Sequence, residues 1–415
     1  MNLPGSAVTT IVLTTIVVDY LLNMLANWLN LRCIHKTIPG EFQSDIPIEA
    51  YSKSQEYLTT TTWFSNITAS IDLLLVLLFW LLEGFPLVDG WVRGLGLGTV
   101  STGLVYAAAL FLLKGIATLP FSIYSTFVIE AKFGFNKTTP GLFAADLIKT
   151  VALSTLLGGV LLAGILSFLE YAGPYAWIIC WAASTVFMVA VQYIIPTLVM
   201  PLFNRFLPLE TGALRTAITE YATSINFPID NIFVMDGSRR SSRSNAFFTG
   251  FGRHRRIVLF DTLINNHSTP ELVAVLAHEM GHFKKHHILR RLGAVIIQMG
   301  IIYYLMSVCI TIPGLFEAFF MPERSIYAGL IFFGLLYAPI DLILSMVIQT
   351  LSRQDEFEAD RFAAQTVKQP EDLVTALKRL AADNLSNLTP HPFFVFLNYS
   401  HPPVLQRIQA IRSIG

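Results

Sequence analysis

The sequence predicts a mainly α-helical protein that crosses a membrane several times, with a small α/β region attached. Hydrophobic residues make up 53% of the 415 residues and charged residues only 13%, and the mean hydropathy is +0.57. Soluble domains carry about a quarter charged residues. This composition excludes an ordinary soluble protein, and the net charge of zero gives no support for nucleic-acid binding.

Seven apolar runs account for the excess of hydrophobic residues. Each is long enough, as a helix, for about 30 Å of hydrocarbon. They lie at residues 7–29, 64–86, 97–122, 149–169, 175–200, 289–312 and 325–350. The first run lacks the basic start of a signal peptide, so it counts as a membrane span.

The distribution of Lys and Arg predicts the orientation in the membrane. With the N-terminus outside, the outer loops carry only Arg93 and Arg324. The basic residues of the inner connections are Arg32, Lys36, Lys53, Lys132, Lys137 and those of the stretch from Arg205 to Arg291. Because cytoplasmic loops are enriched in Lys and Arg, both long polar regions, 201–288 and 351–415, are expected on the inner side.

Four charged residues lie inside the predicted spans, namely Asp19, Asp72, Lys114 and Asp341. A charge that faces lipid costs several kcal/mol, so we expect these side chains to face a water-filled interior. Pairing between tightly packed helices is the alternative for each of them singly.

A metal-binding motif, HEMGH, lies in the first long polar region. Ser268 and Glu271 have the spacing of a capping box, which predicts that a helix begins just before the motif. Four residues apart on that helix, His278 and His282 can bind one zinc ion, and Glu279 beside them is the candidate general base. The motif is short and is only a moderate signal by itself. A zinc site also needs a third protein ligand.

The third ligand is expected from the polar region after the last span. There, Glu356 and Asp360 lie four residues apart on one face of a predicted helix. Glu356 is the candidate zinc ligand, and Asp360 can accept a hydrogen bond from a ligating His. The alternative is a solvated acidic helix whose carboxylates pair with Arg353 and Arg361.

A small sheet is predicted ahead of the motif. Residues 210–226 are predicted to be helical, and short strands follow at 231–236, 245–250 and 256–260. A free sheet edge can bind a peptide backbone as an added strand, and the second strand is the candidate edge. Its candidate substrate-binding residues are Asn245, Ala246, Phe247, Phe248 and Gly250. An ordinary hairpin that covers the zinc helix carries equal weight.

Longer blocks accompany the motif in a fixed order. They are FVIEAKFGFNKTTP at 127–140, PTLVMPLFNRFLPL at 196–209, MDGSRRSSRSNAFFTGFG at 235–252, RIVLFDTLI at 256–264, SRQDEFEAD at 352–360 and YSHPPVLQRI at 399–408. With these blocks the sequence resembles the type I CAAX prenyl proteases, a family of seven-span zinc proteases, over nearly the whole chain.

The resemblance implies a role for each candidate residue. The implied roles are ligation of one zinc ion by His278, His282 and Glu356, catalysis by Glu279, Asp360 and His401, and substrate binding by Arg407. It also implies a ring of spans around a water-filled chamber, with the site at its inner end. His286 and His287 are expected to continue the motif helix, so that His286 shares the face of the two ligating His residues, and we interpret it as a polar residue behind them or at the membrane edge.

The predicted function is that of an integral membrane zinc endopeptidase that removes the last three residues of prenylated CAAX-type peptides, with Glu279 as general base. The expected partners are the C-terminal peptides of prenylated or membrane-associated proteins and the lipid bilayer. We expect four regions, which are spans one to five (1–200), a zincin-like domain (201–288), spans six and seven (289–350) and a C-terminal helical region (351–415).

Two alternatives stay open from the sequence. A membrane-protein quality-control protease without prenyl specificity is the first. A transporter or channel with a structural zinc is the second, although a structural site usually has four protein ligands. The chain ends without an endoplasmic reticulum retrieval signal, so a bacterial cytoplasmic membrane is the favoured location, and the endoplasmic reticulum membrane is expected if the source is eukaryotic.

Overall fold

Seven long helices dominate the computed structural model. Residues 3–34, 37–227, 229, 231–249 and 256–414 are described. The helices that are long and apolar enough to cross a membrane are Gly5–Arg32, Ile48–Leu81, Thr99–Glu130, Pro140–Tyr171, Gly173–Phe203, His287–Cys309 and Ile326–Thr366. Their number and order confirm the seven predicted spans, and the protein is an integral multi-pass membrane protein.

The helices are numbered in chain order. They are α1 (Gly5–Arg32), α2 (Ile48–Leu81), α3 (Gly84–Arg93), α4 (Thr99–Tyr124), α5 (Pro140–Tyr171), α6 (Ala176–Ile194), α7 (Met200–Phe203), α8 (Ala213–Ser224), α9 (Asp261–Asn266), α10 (Thr269–Lys284), α11 (His287–Cys309), α12 (Pro313–Glu317), α13 (Ile326–Thr366), α14 (Glu371–Asp383), α15 (Pro392–Asn398) and α16 (Val404–Arg412). Helices α4 and α6 continue as the π-helical segments Ser125–Glu130 and Ile195–Val199.

The second span differs most from its prediction. Helix α2 begins at Ile48 instead of residue 64 and ends at Leu81, close to Glu83, whose φ of 58° is left-handed. The residues after that break form the separate helix α3. Hydropathy detects only the part of a helix that faces hydrocarbon, so the Ser- and Thr-containing first turns of α2 were not predicted.

The spans are loosely packed against one another. Only 6–17% of the residues in the most apolar window of each span are buried within the protein. Helix α13 contacts α1, α4, α5 and α11, while α6 contacts α5 and α11. Most of the remaining surface of the spans is therefore not covered by other parts of the described protein.

Two of the four charged residues in the spans contact each other. Lys114 on α4 forms an ion pair with Asp72 on α2, and both side chains are about half exposed. They line a cavity of about 490 Å³ between the two helices. The side chain of Asp19 accepts a hydrogen bond from Asn23 at 3.2 Å. Lys114 and Asp72 therefore form an ion pair and also face a cavity, so the two interpretations of the intramembrane charges do not exclude each other.

A four-stranded sheet lies between the fifth and sixth spans. Its strands are β1 (Phe206–Pro208), β2 (Asn231–Met235), β3 (Ala246–Thr249) and β4 (Arg256–Phe260), in the spatial order β1-β2-β4-β3. Strands β2 and β4 are parallel, and β1 and β3 are antiparallel to their neighbours. Strand β1 was not predicted, because three residues that end in Pro208 show no alternation.

Strand β3 lies at an edge of the described sheet, as predicted. Its aromatic residue Phe248 also packs against Phe283 at the end of α10, so the strand both covers the motif helix and has a free edge. Gly250, the last residue of the predicted strand, lies outside the described residues.

The main core outside the spans forms between the sheet and helix α10. The predicted capping box is present, with Ser268 and Glu271 bonding each other's backbone N–H groups at the start of α10. Leu259 from the sheet and Leu272 and Leu276 from α10 are almost fully buried in one apolar cluster. Helices α8, α13 and α14 pack around α10, so the motif helix is the centre of this region.

Candidate active site

Helices α10 and α13 bring two imidazoles and one carboxylate together. The Nε2 atoms of His278 and His282 are 3.1 Å apart. Glu356 Oε2 is 3.3 Å from His278 Nε2, and Glu356 Oε1 is 3.3 Å from His282 Nε2. The two imidazoles precede span six in the sequence, and the carboxylate follows the predicted end of span seven. They meet at one point, which lies on the inner side of the membrane in the predicted orientation.

A glycine allows the two helices to approach closely enough. A Cβ atom at Gly281 would lie 3.1 Å from the carbonyl oxygen and 3.2 Å from the Cα atom of Ala359. Any larger residue would push α10 away from α13. Because Ala359 is about one turn beyond Glu356, we expect this contact to set the distance between the carboxylate and the two imidazoles.

The donor set fits a zinc ion. Glu356 is 2% exposed, and its Oε2 atom has no hydrogen-bond donor. A buried carboxylate oxygen without a partner is costly, and a cation removes that cost. Two imidazole nitrogens and one carboxylate, with ligand atoms all within 4.8 Å of one another, match a catalytic zinc site that keeps a fourth position open.

Asp360 and Arg407 fix the orientation of His278. Asp360 Oδ1 lies 2.8 Å from His278 Nδ1, so the other ring nitrogen points towards Glu356. Arg407 donates two hydrogen bonds to Asp360, at 2.6 and 2.8 Å. Both partners are nearly buried, at 1% and 11% side-chain exposure. Such contacts hold the tautomer and direction of a metal-binding imidazole.

Burial and charge shift the pKa values of two groups in this site. Burial alone would lower the pKa of His278, but the adjacent carboxylates of Asp360 and Glu356 outweigh it and raise that pKa to about 9. A metal ion and a proton compete for the same imidazole nitrogen. Burial raises the pKa of Glu279 above its usual value, and the nearby imidazoles oppose that rise.

The alternative of a solvated acidic helix is wrong. Glu356 and Asp360 are both buried. Arg353, one of the two expected partners, donates its hydrogen bonds to the carbonyl oxygens of Val395 and Tyr399. It therefore supports the segment just before His401 and leaves the carboxylates to the imidazoles.

The edge strand and the metal-binding residues line one cleft of about 390 Å³. The predicted site residues found there, besides the three metal-binding side chains, are Asn245, Ala246, Phe247, Phe248, Glu279, His401 and Arg407. His401 is 62% exposed, and its Nε2 atom is 3.4 Å from Glu356 Oε1. Among the predicted residues, Gly250 lies outside the described part of the chain.

The motif helix does not continue through His286 as predicted, so this exposed residue does not stand behind the two ligating imidazoles, and its place at the membrane edge stays a prediction. The backbone of His286 is left-handed, with a φ of 57°, and it separates α10 from α11. The next residue, His287, contacts the site instead, with its Nδ1 atom 3.0 Å from His282 Nδ1. His287 was not predicted as a site residue, because the sequence shows no break in the motif helix at His286.

Seven spans, a buried His-His-Glu cluster, an adjacent carboxylate and an open sheet edge define a class of protein, the polytopic membrane metalloprotease. Residues 28–205 match the family model described as CAAX prenyl protease N-terminal, five membrane helices, and residues 208–415 match that of peptidase family M48. The chain belongs to the type I CAAX prenyl protease family within peptidase family M48.

Similar curated proteins include the Probable CAAX prenyl protease 1 of Schizosaccharomyces pombe, which is 37% identical over 390 residues that cover 90% of this chain and 81% of that protein. The CAAX prenyl protease 1 homolog of Homo sapiens is 32% identical over 434 residues, covering 92% of this chain and 91% of that protein. The crystal structure of S. mikatae Ste24p superposes with a TM-score of 0.91 at 32% identity, covering 97% of this chain and 98% of that one.

These findings remove the transporter alternative. A structural zinc site is usually closed by four protein ligands. Within the described residues, one cluster of three side chains could hold a metal, and a carboxylate stands next to it. The protein is a metalloprotease.

Proposed function

We propose that this protein is a zinc endopeptidase that removes the last three residues of prenylated CAAX-type peptides. The observation that carries the proposal is the convergence of His278, His282 and Glu356 beside Glu279 and a free sheet edge in one cleft. The names of the curated relatives, which are CAAX prenyl proteases, support the substrate class.

The proposed chemistry uses zinc and one carboxylate. Zinc bound by His278, His282 and Glu356 would polarise a carbonyl and acidify a water molecule. Glu279 is the general base, which takes a proton from the attacking water and passes it to the leaving amine. Burial raises the pKa of Glu279, so its carboxylate accepts a proton from water more readily than an exposed glutamate does.

The substrate backbone is proposed to bind along β3. A peptide in extended form would hydrogen-bond to the free edge of Ala246–Thr249, next to Asn245. Phe247 and Phe248 would contact alternate side chains, because neighbouring strand residues point to opposite faces. The apolar surroundings of the spans suit a prenyl chain, which gains roughly 0.8 kcal/mol for each buried CH₂ group.

The remaining site residues have positioning and binding roles in this proposal. Asp360 orients His278, and Arg407 keeps Asp360 ionised while it forms part of the cleft wall. His401, whose side chain is 62% exposed and close to Glu356, would donate a hydrogen bond to the oxyanion that forms as water attacks. The distribution of basic residues supports a site that faces the cytoplasm, and the identity of the membrane stays a prediction.

Cleavage of a farnesylated CAAX peptide and of its unprenylated twin by the purified protein tests the proposal. We expect hydrolysis of the farnesylated peptide that a chelator abolishes. Glu279→Gln should retain zinc and lose about 10²–10⁴-fold in rate. Glu220→Gln, on the exposed side of α8, is the matched control and should cleave normally.

Each arm of the experiment tests a different part of the proposal. Full activity of Glu279→Gln would exclude Glu279 as the base. Equal cleavage of both peptides would remove prenyl specificity and favour the quality-control alternative. Cleavage that persists after zinc is removed would exclude the metal mechanism.

A further inference from the structure

A buried histidine stands behind the second metal-binding imidazole. His287 is 1% exposed, and its Nδ1 atom is 3.0 Å from His282 Nδ1. On its other side, His287 Nε2 is 3.0 Å from Glu358 Oε2. Glu358 is 48% exposed and lies 3.8 Å from Arg290. An unbroken line of polar contacts therefore runs from His282 to the protein surface.

The break between α10 and α11 is what places His287 there. On one continuous helix, residues five apart point about 140° away from each other, so residue 287 would face away from His282. The left-handed backbone of His286 redirects the chain, and His287 becomes the first residue of α11. A non-glycine residue in this conformation is strained, and the contact with His282 depends on it.

The hydrogen-bond chemistry permits one consistent assignment of protons. If His282 binds a metal through Nε2, its Nδ1 atom carries a hydrogen and donates to His287 Nδ1. His287 then carries its own hydrogen on Nε2 and donates to the Glu358 carboxylate, which can only accept. The same line of contacts would fail with the opposite tautomer of either ring.

We propose that His287 is a positioning residue that holds His282 in the metal-binding tautomer, as Asp360 does for His278. The inference rests on the proposed zinc site. Partners of ligating histidines contribute about 10–100-fold to metal affinity. Loss of His287 should therefore speed zinc release without removing a ligand.

Three substitutions separate positioning from packing. In His287→Asn, the amide oxygen can occupy the place of Nδ1 and accept from His282. In His287→Gln, the amide reaches the place of Nε2 and can contact only Glu358. His287→Ala removes both contacts. All three substitutions replace a buried ring by a smaller side chain. A packing defect would therefore be largest in the Ala variant, smaller in Asn and smallest in Gln.

The experiment follows zinc release from the purified full-length protein into a chromogenic chelator, together with the absorption spectrum of the cobalt-loaded protein. The expected result is zinc release about 10–100-fold faster in His287→Ala and His287→Gln, with a changed cobalt spectrum, and near-normal behaviour in His287→Asn. Melting temperature is measured in parallel.

The outcomes distinguish this inference from the proposed function. A wild-type protein that binds no zinc would overturn the proposed function itself. Zinc that is released at the wild-type rate from His287→Ala would overturn only the inference. Zinc release from the Asn variant that is as fast as from the Gln variant or faster, with unchanged cobalt spectra, would assign His287 a packing role and overturn the inference as well.

Discussion

Replacement of Gly281 by Ala tests whether helix packing sets the metal geometry. The new Cβ atom would lie 3.1 Å from Ala359 O and 3.2 Å from both Ala359 Cα and Phe362 Cδ1. Two of these atoms belong to the backbone of α13 and cannot rotate away. Helices α10 and α13 must therefore separate by a few tenths of an ångström.

The cost to stability should be small and the cost to metal binding large. Overpacking costs about 1–3 kcal/mol, and replacement of a helical glycine by alanine returns about 1 kcal/mol. The net destabilisation is therefore about 0–2 kcal/mol. Metal sites require ligand distances within about 0.2 Å, so the displacement of Glu356 should weaken zinc binding about tenfold or more.

Gly293→Ala is the matched control. It makes the same substitution inside helix α11, where a Cβ atom would meet nothing within 4 Å. Zinc content after dialysis, zinc release into a chelator and peptide cleavage are measured for both variants beside the wild type. If Gly281→Ala retains zinc as well as Gly293→Ala does, the close approach of the two helices does not set the ligand geometry.

Two further substitutions probe buried charges. Asp360→Asn keeps an acceptor for His278 but removes the carboxylate that bonds Arg407 at 2.6 and 2.8 Å and leaves only Glu356, at 4.0 Å. The free energy of unfolding should therefore fall by about 3 kcal/mol and zinc affinity about 10–100-fold; unchanged melting and zinc content would contradict this. Lys378→Met removes bonds of 2.7 and 3.0 Å to Glu41 and Asp45, which join α14 to the α1–α2 connection, and should lower the melting temperature. The hydrogen bond from Lys378 holds the pKa of Glu41 below its usual 4.5. This contribution is therefore present above about pH 4.5 and is lost as the pH falls through the lowered pKa. The difference in melting temperature between wild type and variant should then shrink in acid, and a difference independent of pH would contradict the ion pair.

Local patterns in the sequence predicted much of the fold and of the candidate site. Apolar runs identify spans because each helix must satisfy its own backbone in lipid, without help from distant residues. The four-residue spacing of His278 and His282 is equally local. Glu356 could be assigned because its helix follows a pair of spans that returns the chain to the same side of the membrane, a topological argument that needs no coordinates.

Features that depend on the meeting of distant elements could not be predicted. The close approach of Gly281 to Ala359 becomes visible only when α10 lies against α13. The left-handed backbone at His286 breaks the helix at a point where the sequence has no Gly or Pro. His287, and not His286, therefore contacts His282. Strand β1 pairs with β2, and its three residues show no pattern that predicts this pairing.

The position of Glu356 explains how a hydrolytic site can be built directly onto membrane-spanning helices. Helix α13 has 41 residues, and at 1.5 Å per residue it is about 60 Å long, twice the thickness of the hydrocarbon layer. Glu356 lies thirty residues after Ile326, about 45 Å along the helix and beyond the predicted end of the span. Helix α11 likewise begins at His287, directly behind the ligand pair. Spans six and seven therefore connect to the site without a linker, so movement of one span against the other would move Glu356 against the two imidazoles.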